Sequence, residues 1–442
     1  GDLAAHIGKS EAIADYTVRM EITAPDIRQP VHLFTSVVPR GESIHSKKVF
    51  EKFGETGMLD VFVGTGPYEI VQWRQDDRLV LKANRAHWRK VPSIDNVIVL
   101  AVPEAAVRAA MFESGEVQVS AVEPKDIGRL VKDHGAKIAE NGGSAVAIHP
   151  GGQYYEKVGA RTGKPLVSPG YDPKLPWVAD INDPTCDYDQ LWVSVPKGPV
   201  CKQWESARLV RRALEISIDR VTINEQVYAG LATPSWGPPP RASVSKYMKP
   251  EWEEPFDIAK AKQWLAEAGY PNGLNQKVSV HAEPGLTLRL AQILCSTWRD
   301  LGLECEFDQR IYAVLRPSYV DRSNKAWIFS GLAPRFEPED WPSDMEDHSW
   351  KEGGTQKGGN IPFSAKAFDL MRREPDRQKR LEYFKEWVEH YQYWAWALPI
   401  AEVFNQTIWD GKTLEWERSE YPTFGYAYTI MQPIEDMVLK KK

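Results

Sequence analysis

An α/β fold is predicted by the alternation of strand and helix patterns along this chain. Strand-like apolar runs such as residues 277–281 and 304–309 lie between segments whose apolar residues recur with the period of a helix. This alternation is typical of sheets covered by helices. A length of 442 residues is enough for two or three domains with sizeable cores.

The order of elements follows from the same patterns. Residues 11–62 are predicted to hold strand-like runs at 16–22 and 31–38 and a short helix at 47–53. The helices expected after them, taken from apolar spacing, are 104–114, 124–134, 208–229, 258–268, 288–301, 364–371 and 376–396. A strand is expected at 136–140, directly after the second of these helices.

Residues 153–205 are predicted to form a long irregular insert. Turn signals occur at Pro169-Gly170 and Asp183-Pro184. Loops of this length in a compact domain are usually functional or tied down. Aromatic residues argue against a purely disordered tract; they are Tyr154, Tyr155, Trp177, Tyr188 and Trp192.

Composition excludes several classes of partner. The chain has 55 basic and 61 acidic residues and a formal charge of -6. Proteins that bind nucleic acid or anionic membranes need a concentrated positive charge, so neither partner is expected here. No apolar run approaches the ~18 residues that span a bilayer. No export leader is recognised at Gly1, so export is inferred only from the resemblance described below.

The four cysteines form two local pairs, Cys186 with Cys201 and Cys295 with Cys305. A disulfide in the first pair would restrain the irregular insert. For the second pair, a disulfide and two buried free thiols both remain open. Neither pair has metal-ligand spacing, so no metal site is expected.

No catalytic motif is recognised in this sequence. It has no GxSxG, HExxH or Walker lysine motif, and Gly64-Thr-Gly66 lacks the spacing of a dinucleotide site. We therefore expect that the protein is not an enzyme and that it has no catalytic residue and no cofactor.

A run at residues 64–70, GTGPYEI, is the most specific motif in the chain. Others follow in a fixed order: PEAAVRAAMFESGE at 103–116, RRALEISIDR at 211–220, and DIAKAKQWLAEAGYPNG at 257–273. Together they resemble the peptide/opine/nickel class of bacterial extracellular solute-binding proteins, family 5 (cluster C), the substrate-binding components of ABC importers. The resemblance covers about residues 10–435. It begins in the middle of the family pattern, so the amino-terminal part of the first lobe is expected to be absent.

The resemblance implies a two-lobed periplasmic-binding-protein fold of type II with a hinge. Residues 1–63 would be the remainder of an extra subdomain of the first lobe, 64–147 the first lobe, 148–400 the second lobe, and 401–442 the return to the first. The lobes would close on a small ligand, and the closed form would be recognised by the permease. The expected protein is a monomer, periplasmic or extracellular, attached to the membrane only through the transporter or a lipid anchor.

The ligand is expected to be an oligosaccharide, an opine-like conjugate or an oligopeptide. In peptide-binding members an aspartate holds the peptide amino terminus, but Ala333-Pro334 stand at the matching position here, with Arg335 beside them. A guanidinium in the cleft would suit a carboxylate, a phosphate or sugar hydroxyls. The 17 tryptophans would suit stacking on sugar rings.

Six residues are predicted to bind the ligand: Arg335, Trp341, Trp327, Trp236, Phe336 and Tyr154. Packing in the core is the alternative for the tryptophans, and a surface ion pair with Glu337 or Glu339 is the alternative for Arg335. Trp264, Trp387, Trp394 and Trp396 have helical spacing and are assigned to the core. Two other functions stay open, a hydrolase acting on oligosaccharides and a binding protein diverted to signalling or scaffolding.

Overall fold

The computed structural model of the chain describes ten stretches of residues. These are 7–23, 45–57, 61–140, 144–158, 164–191, 193–237, 247–332, 359–403, 406–416 and 434–440. The chain divides into two compact units. Unit 1 consists of Gly1–His32 and Gly143–Val403, and unit 2 of Leu33–Gly142 and Phe404–Lys442.

The described helices are numbered in chain order. They are α1 Lys47–Gly57, α2 Ala105–Glu113, α3 Pro124–His134, α4 Tyr188–Leu191, α5 Lys202–Ile216, α6 Arg220–Tyr228, α7 Ile258–Glu267, α8 Leu286–Arg299, α9 Tyr312–Val320, α10 Pro362–Arg373 and α11 Arg377–Trp394. Within the described ranges, no helix combines the length and apolar character needed to cross a membrane.

The described strands are numbered in the same way. They are β1 Ile7–Ala14, β2 Thr17–Ile22, β3 Tyr68–Arg74, β4 Arg78–Ala83, β5 Asn96–Leu100, β6 Val119–Ala121, β7 Ala136–Glu140, β8 Ser144–His149, β9 Gln153–Tyr154, β10 Thr233–Pro234, β11 Gln276–His281, β12 Leu303–Asp308, β13 Trp327–Leu332, β14 Gly359–Asn360, β15 Leu398–Val403, β16 Gln406–Asp410, β17 Leu414–Trp416 and β18 Met437–Leu439.

Unit 1 is built on a six-stranded sheet in the order β10-β15-β8-β13-β11-β12. Strands β11, β12 and β13 are parallel, and β8 pairs antiparallel with both β13 and β15. The buried core against this sheet is rich in large aromatic side chains. Trp204, Trp298, Trp327, Trp387 and Trp394 are all fully buried.

Unit 2 holds smaller sheets. Strands β3, β4 and β5 form an antiparallel sheet, and β16 lies between β6 and β7. The helices α2 and α3 contribute Phe112, Ile127 and Leu130 to a separate core that includes Ile408 of β16. In the GTGPY segment, the Tyr68 hydroxyl donates to the Ile94 carbonyl at 2.9 Å, which fixes the start of β3.

Most predicted elements are present in the described residues. One predicted helix is divided in two, and one helix was not predicted. The single helix expected at 208–229 is two helices, α5 and α6, because Asp219 caps a new helix by accepting from the Thr222 amide at 3.0 Å. Helix α9 was not predicted, since Pro317 inside it interrupts the helical signal. The strand expected at 31–38 lies outside the described residues.

Both cysteine pairs are disulfides. Cys186 is bonded to Cys201, and Cys295 of α8 to Cys305 of β12. For the second pair, the structure decides against the alternative of two free thiols. The first bond holds the irregular insert against the start of α5, so the insert is tied down as its length suggested.

Candidate ligand-binding site

The carboxyl ends of β11 and β12 mark one candidate site in unit 1. In open α/β sheets, ligands bind in the crevice outside the carboxyl ends of the parallel strands. Strand β11 ends at His281 and β12 at Asp308, paired residues in the parallel register. The chain then enters α8 and α9, so both helices begin at this edge.

A buried histidine and tyrosine lie at this edge. The His281 Nε2 is 2.8 Å from the Arg310 carbonyl oxygen, and its Nδ1 is 2.9 Å from the Tyr319 hydroxyl. A carbonyl can only accept, so Nε2 carries the proton and Nδ1 accepts from Tyr319. Burial raises the pKa of the Tyr319 hydroxyl. The two hydrogen bonds of His281 thus fix the orientation of its ring and of the Tyr319 hydroxyl.

Charged groups at the same edge pair locally. Arg310 donates to the Asp308 carboxylate through Nη2 at 2.6 Å and Nε at 2.9 Å, and this hydrogen bonding lowers the pKa of Asp308. Glu283 accepts from the Tyr312 amide at 2.5 Å. The side chains of Ile311 and Val314 are exposed beside them. The edge therefore carries exposed apolar side chains beside polar groups that are fixed by hydrogen bonds.

The two strands that lead out of unit 1 lie next to each other. Strand β8 starts at Ser144, and β15 ends at Val403, its paired residue. The unit boundaries follow at once, at Gly142–Gly143 and Val403–Phe404. Two of the three points at which the chain passes between the units therefore use one pair of strands.

The family model for bacterial extracellular solute-binding proteins, family 5 (Middle), matches residues 2–353. This match spans well over half of the chain. The chain belongs to the family 5 bacterial extracellular solute-binding proteins. The finding confirms the family that the motifs predicted.

Among curated proteins, this family 5 chain is similar to the glutathione-binding protein GsiB of Escherichia coli (strain K12). The two are 28% identical over 363 residues, which cover 78% of this chain and 60% of GsiB. The chain thus spans about 60% of the length of the curated relatives it matches.

Two solved structures illustrate the fold of this family 5 chain. The ABC transporter-associated periplasmic binding protein DppA from Helicobacter pylori, in complex with the peptide STSA, has a TM-score of 0.74 and 19% identity, covering 100% of this chain and 75% of DppA. The periplasmic binding protein AgaA of A.tumefacien R10, in complex with agropinic acid, has a TM-score of 0.70 and 16% identity, covering 100% of this chain and 79% of AgaA. These similarities confirm the predicted α/β periplasmic-binding-protein fold.

Three of the six predicted site residues in this family 5 chain lie in the described part of the structure. Trp327 is fully buried, with ring centroids of Trp177 at 4.9 Å and Trp298 at 5.3 Å. Tyr154 is also buried, and the Arg322 guanidinium lies 5.3 Å from its ring centroid. Each ring thus has core neighbours in this conformation.

Trp236 is only partly buried. Its indole Nε1 donates to the Glu254 carbonyl at 2.8 Å, and the Arg220 guanidinium lies 5.3 Å from the ring centroid. Trp327 lies in β13 and Tyr154 in β9, whereas Trp236 follows β10 outside any helix or strand; each of the three has its own neighbours. The other three predicted residues, Arg335, Phe336 and Trp341, lie outside the described residues.

Sequence reasoning missed the His281–Tyr319 pair. The signal was available, because residues 277–281 were recognised as a strand followed by a helix, and His281 stands at its carboxyl end. The rule that ligands bind at such ends would have selected it. Tyr319 was out of reach, since the helix that carries it was not predicted.

Proposed function

We propose that this protein captures a small solute and delivers it to an ABC importer. Membership of family 5 is the observation that carries the proposal. The name of GsiB states binding of glutathione, and the solved complexes contain a peptide and an opine. The protein would act without catalysis, outside the cytoplasm, with permease subunits as its partners.

We propose a solute that carries a carboxylate. Glutathione, the peptide STSA and agropinic acid are the ligands of the relatives named above. Ala333-Pro334 in place of the amine-binding aspartate, with Arg335 beside them, favours recognition of a negative group over a peptide amino terminus. Trp236, Trp327, Phe336, Trp341 and Tyr154 would supply the aromatic surface.

A thermal-shift screen tests this function. The purified protein is heated with glutathione, short peptides, opines and oligosaccharides, each well above the expected Kd. A ligand at about 100 times its Kd stabilises by about 2.7 kcal/mol, so a binder raises the melting temperature. A response from one solute class supports the proposal. No response to any member of the panel, combined with no stabilisation by bacterial medium extract, would contradict it.

The role of Arg335 has its own test. Replacing Arg335 with Ala is expected to weaken binding of a carboxylate ligand by about tenfold or more, since a charge-assisted hydrogen bond contributes about 1.5–3 kcal/mol. Binding is measured by calorimetric titration with the ligand found in the screen. The control is Arg74→Ala, an exposed arginine of β3, which should keep the wild-type affinity. Equal affinity in wild type and Arg335→Ala would assign Arg335 to the surface.

A further inference from the structure

A small cavity in unit 1 lies apart from the strand ends described above. Its volume is about 20 Å³, which is room for about one water-sized group. The lining combines the end of β8 and the residue after it, strands β9 and β14, the start of α10, the last turn of α11 and one residue shortly before β15. The lining residues are His149, Pro150, Gln153, Gly359, Ile361, Ser364, Tyr391 and Trp396.

Three lining residues carry buried polar atoms without a hydrogen-bond partner among the described residues: Gln153 Oε1, the Tyr391 hydroxyl and Trp396 Nε1. All three residues are at least 97% buried, with exposures of 3%, 1% and 3%. An unpaired buried polar atom costs about 1–3 kcal/mol. Three residues with such atoms in the lining of one cavity are therefore unusual in a native core.

The orientation of the Gln153 amide is determined by its neighbours. Its Nε2 donates to the Pro150 carbonyl at 3.0 Å and to the Trp396 carbonyl at 3.2 Å. Carbonyl oxygens only accept, so the nitrogen must face them, and Oε1 is left as an acceptor. Trp396 Nε1 is a donor only, whereas the Tyr391 hydroxyl both donates and accepts.

The geometry points to a binding site for one hydroxyl group, supplied by water or by a small alcohol. A hydroxyl donates one hydrogen bond, to Gln153 Oε1, and accepts two, from Trp396 Nε1 and Tyr391. A carbonyl oxygen has no proton for Gln153, and an ammonium group has no lone pair for Trp396. The site thus selects a neutral group that donates and accepts.

The position of the cavity gives the site a structural role. Pro150 directly follows β8, and Trp396 lies two residues before β15. These paired strands continue to two of the three unit boundaries, at Gly142–Gly143 and Val403–Phe404. A hydroxyl held by Gln153, Tyr391 and Trp396 would join the base of both strands to α11.

High-resolution crystallography of the ligand-free protein tests the site, with one crystal exposed to methanol and another to xenon. We expect an electron-density peak within hydrogen-bond distance of Gln153 Oε1 and Trp396 Nε1. A peak that methanol leaves unchanged identifies water, and a peak that methanol replaces identifies a site open to alcohols; both support the proposal. Xenon in the cavity, or no peak, would overturn it, because xenon occupies dry apolar cavities.

A variant and a solution measurement complete the test. Tyr391→Phe removes one partner and is expected to abolish or displace the peak, whereas the control Tyr383→Phe, on the same helix but outside the lining, should retain it. If Tyr391→Phe does not fold, the wild type is examined by NMR. A nuclear Overhauser effect between the Trp396 indole proton and a long-lived water is then expected, and its absence would refute a water site.

Discussion

Arg211 illustrates how single residues hold the interior of unit 1 together. Its side chain is fully buried on α5, where Nε donates to the Trp394 carbonyl at 2.8 Å and Nη1 to the Trp177 carbonyl at 2.6 Å. The guanidinium lies 4.5 Å from the Trp396 ring centroid. Burial lowers the pKa of Arg211 to about 10, so the group remains a cation at neutral pH. It connects three separate segments of chain.

Replacing Arg211 with Ala is expected to lower the free energy of unfolding by about 3–5 kcal/mol, because it leaves a cavity and unpaired buried carbonyl groups. Chemical denaturation of the purified variant measures the change. Arg208→Ala, on the same helix and partly exposed, is the control and should cost about 1 kcal/mol or less. Equal losses in the two variants would contradict the role given to Arg211.

His390 makes stability depend on pH. Its ring is fully buried and stacks on Phe363 at 4.0 Å between centroids, with Nδ1 2.7 Å from the Val193 carbonyl oxygen. Burial, aided by Arg211, lowers the pKa of His390 from 6.5 to about 3. Between pH 6.5 and pH 3, His390 therefore binds a proton in the unfolded chain but not in the folded protein. This contribution to stability is therefore complete above pH 6.5 and is lost as the pH falls towards 3.

A His390→Phe variant is expected to lose this dependence. As the pH falls from about 6 to 4, the unfolding free energy of the variant should decrease less steeply than that of wild type. The difference between the two slopes should be about 1.4 kcal/mol per pH unit, the value for one proton. Denaturation curves across this range provide the slopes. The control Phe363→Leu keeps the histidine and should keep the steep slope at a lower overall stability. Parallel slopes for His390→Phe and wild type would show that His390 is not the titrating group.

At the scale of elements, apolar periodicity predicted most helices, because it reports which face is buried. Apolar periodicity did not predict a helix boundary that is set by a capping side chain. The break between α5 and α6 depends on Asp219, whose side chain accepts from the Thr222 amide and hydroxyl. Apolar residues continue on both sides of the break, so periodicity alone joined the two helices.

Asp219→Ala is expected to cost about 1 kcal/mol, the usual value of an N-cap, within a range of about 0.5–2 kcal/mol. Asp219→Asn keeps an acceptor oxygen and should remain close to wild type. Thermal unfolding followed by circular dichroism compares the three proteins. If Ala and Asn were equally destabilising, the carboxylate charge rather than the cap would be responsible.

At the scale of the whole molecule, the sequence predicted the approximate positions of two domain boundaries, but it did not predict which distant strands pair. Motif order placed lobe boundaries at residues 147 and 400. Two of the three unit boundaries lie nearby, at Gly142–Gly143 and Val403–Phe404, and the third lies at His32–Leu33. The lobe assignment itself stays a prediction. The pairing of β9 with β14 joins Gln153 to Gly359 across about two hundred residues. Strands of two residues carry no periodic signal, so the cavity they border could not be predicted.

The candidate site shows the same limit. Strand ends were predictable, and they contain His281 and Asp308. The hydrogen bonds that orient His281 and Asp308 come from Arg310, in the loop after β12, and from Tyr319 on α9. The positions of these two residues are known only from the folded structure. The predicted residues Tyr154 and Trp327 stand in the buried core, since aromatic residues suit packing and ligand contact equally.

Solute capture is tested most directly by native mass spectrometry of the protein mixed with glutathione, a short peptide and an opine. We expect one solute class to form an adduct of one ligand per chain, which disappears after unfolding and reappears on refolding with fresh ligand. Adducts with every compound in proportion to concentration, or no adduct with any, would contradict the central claim that this family 5 protein binds a specific solute.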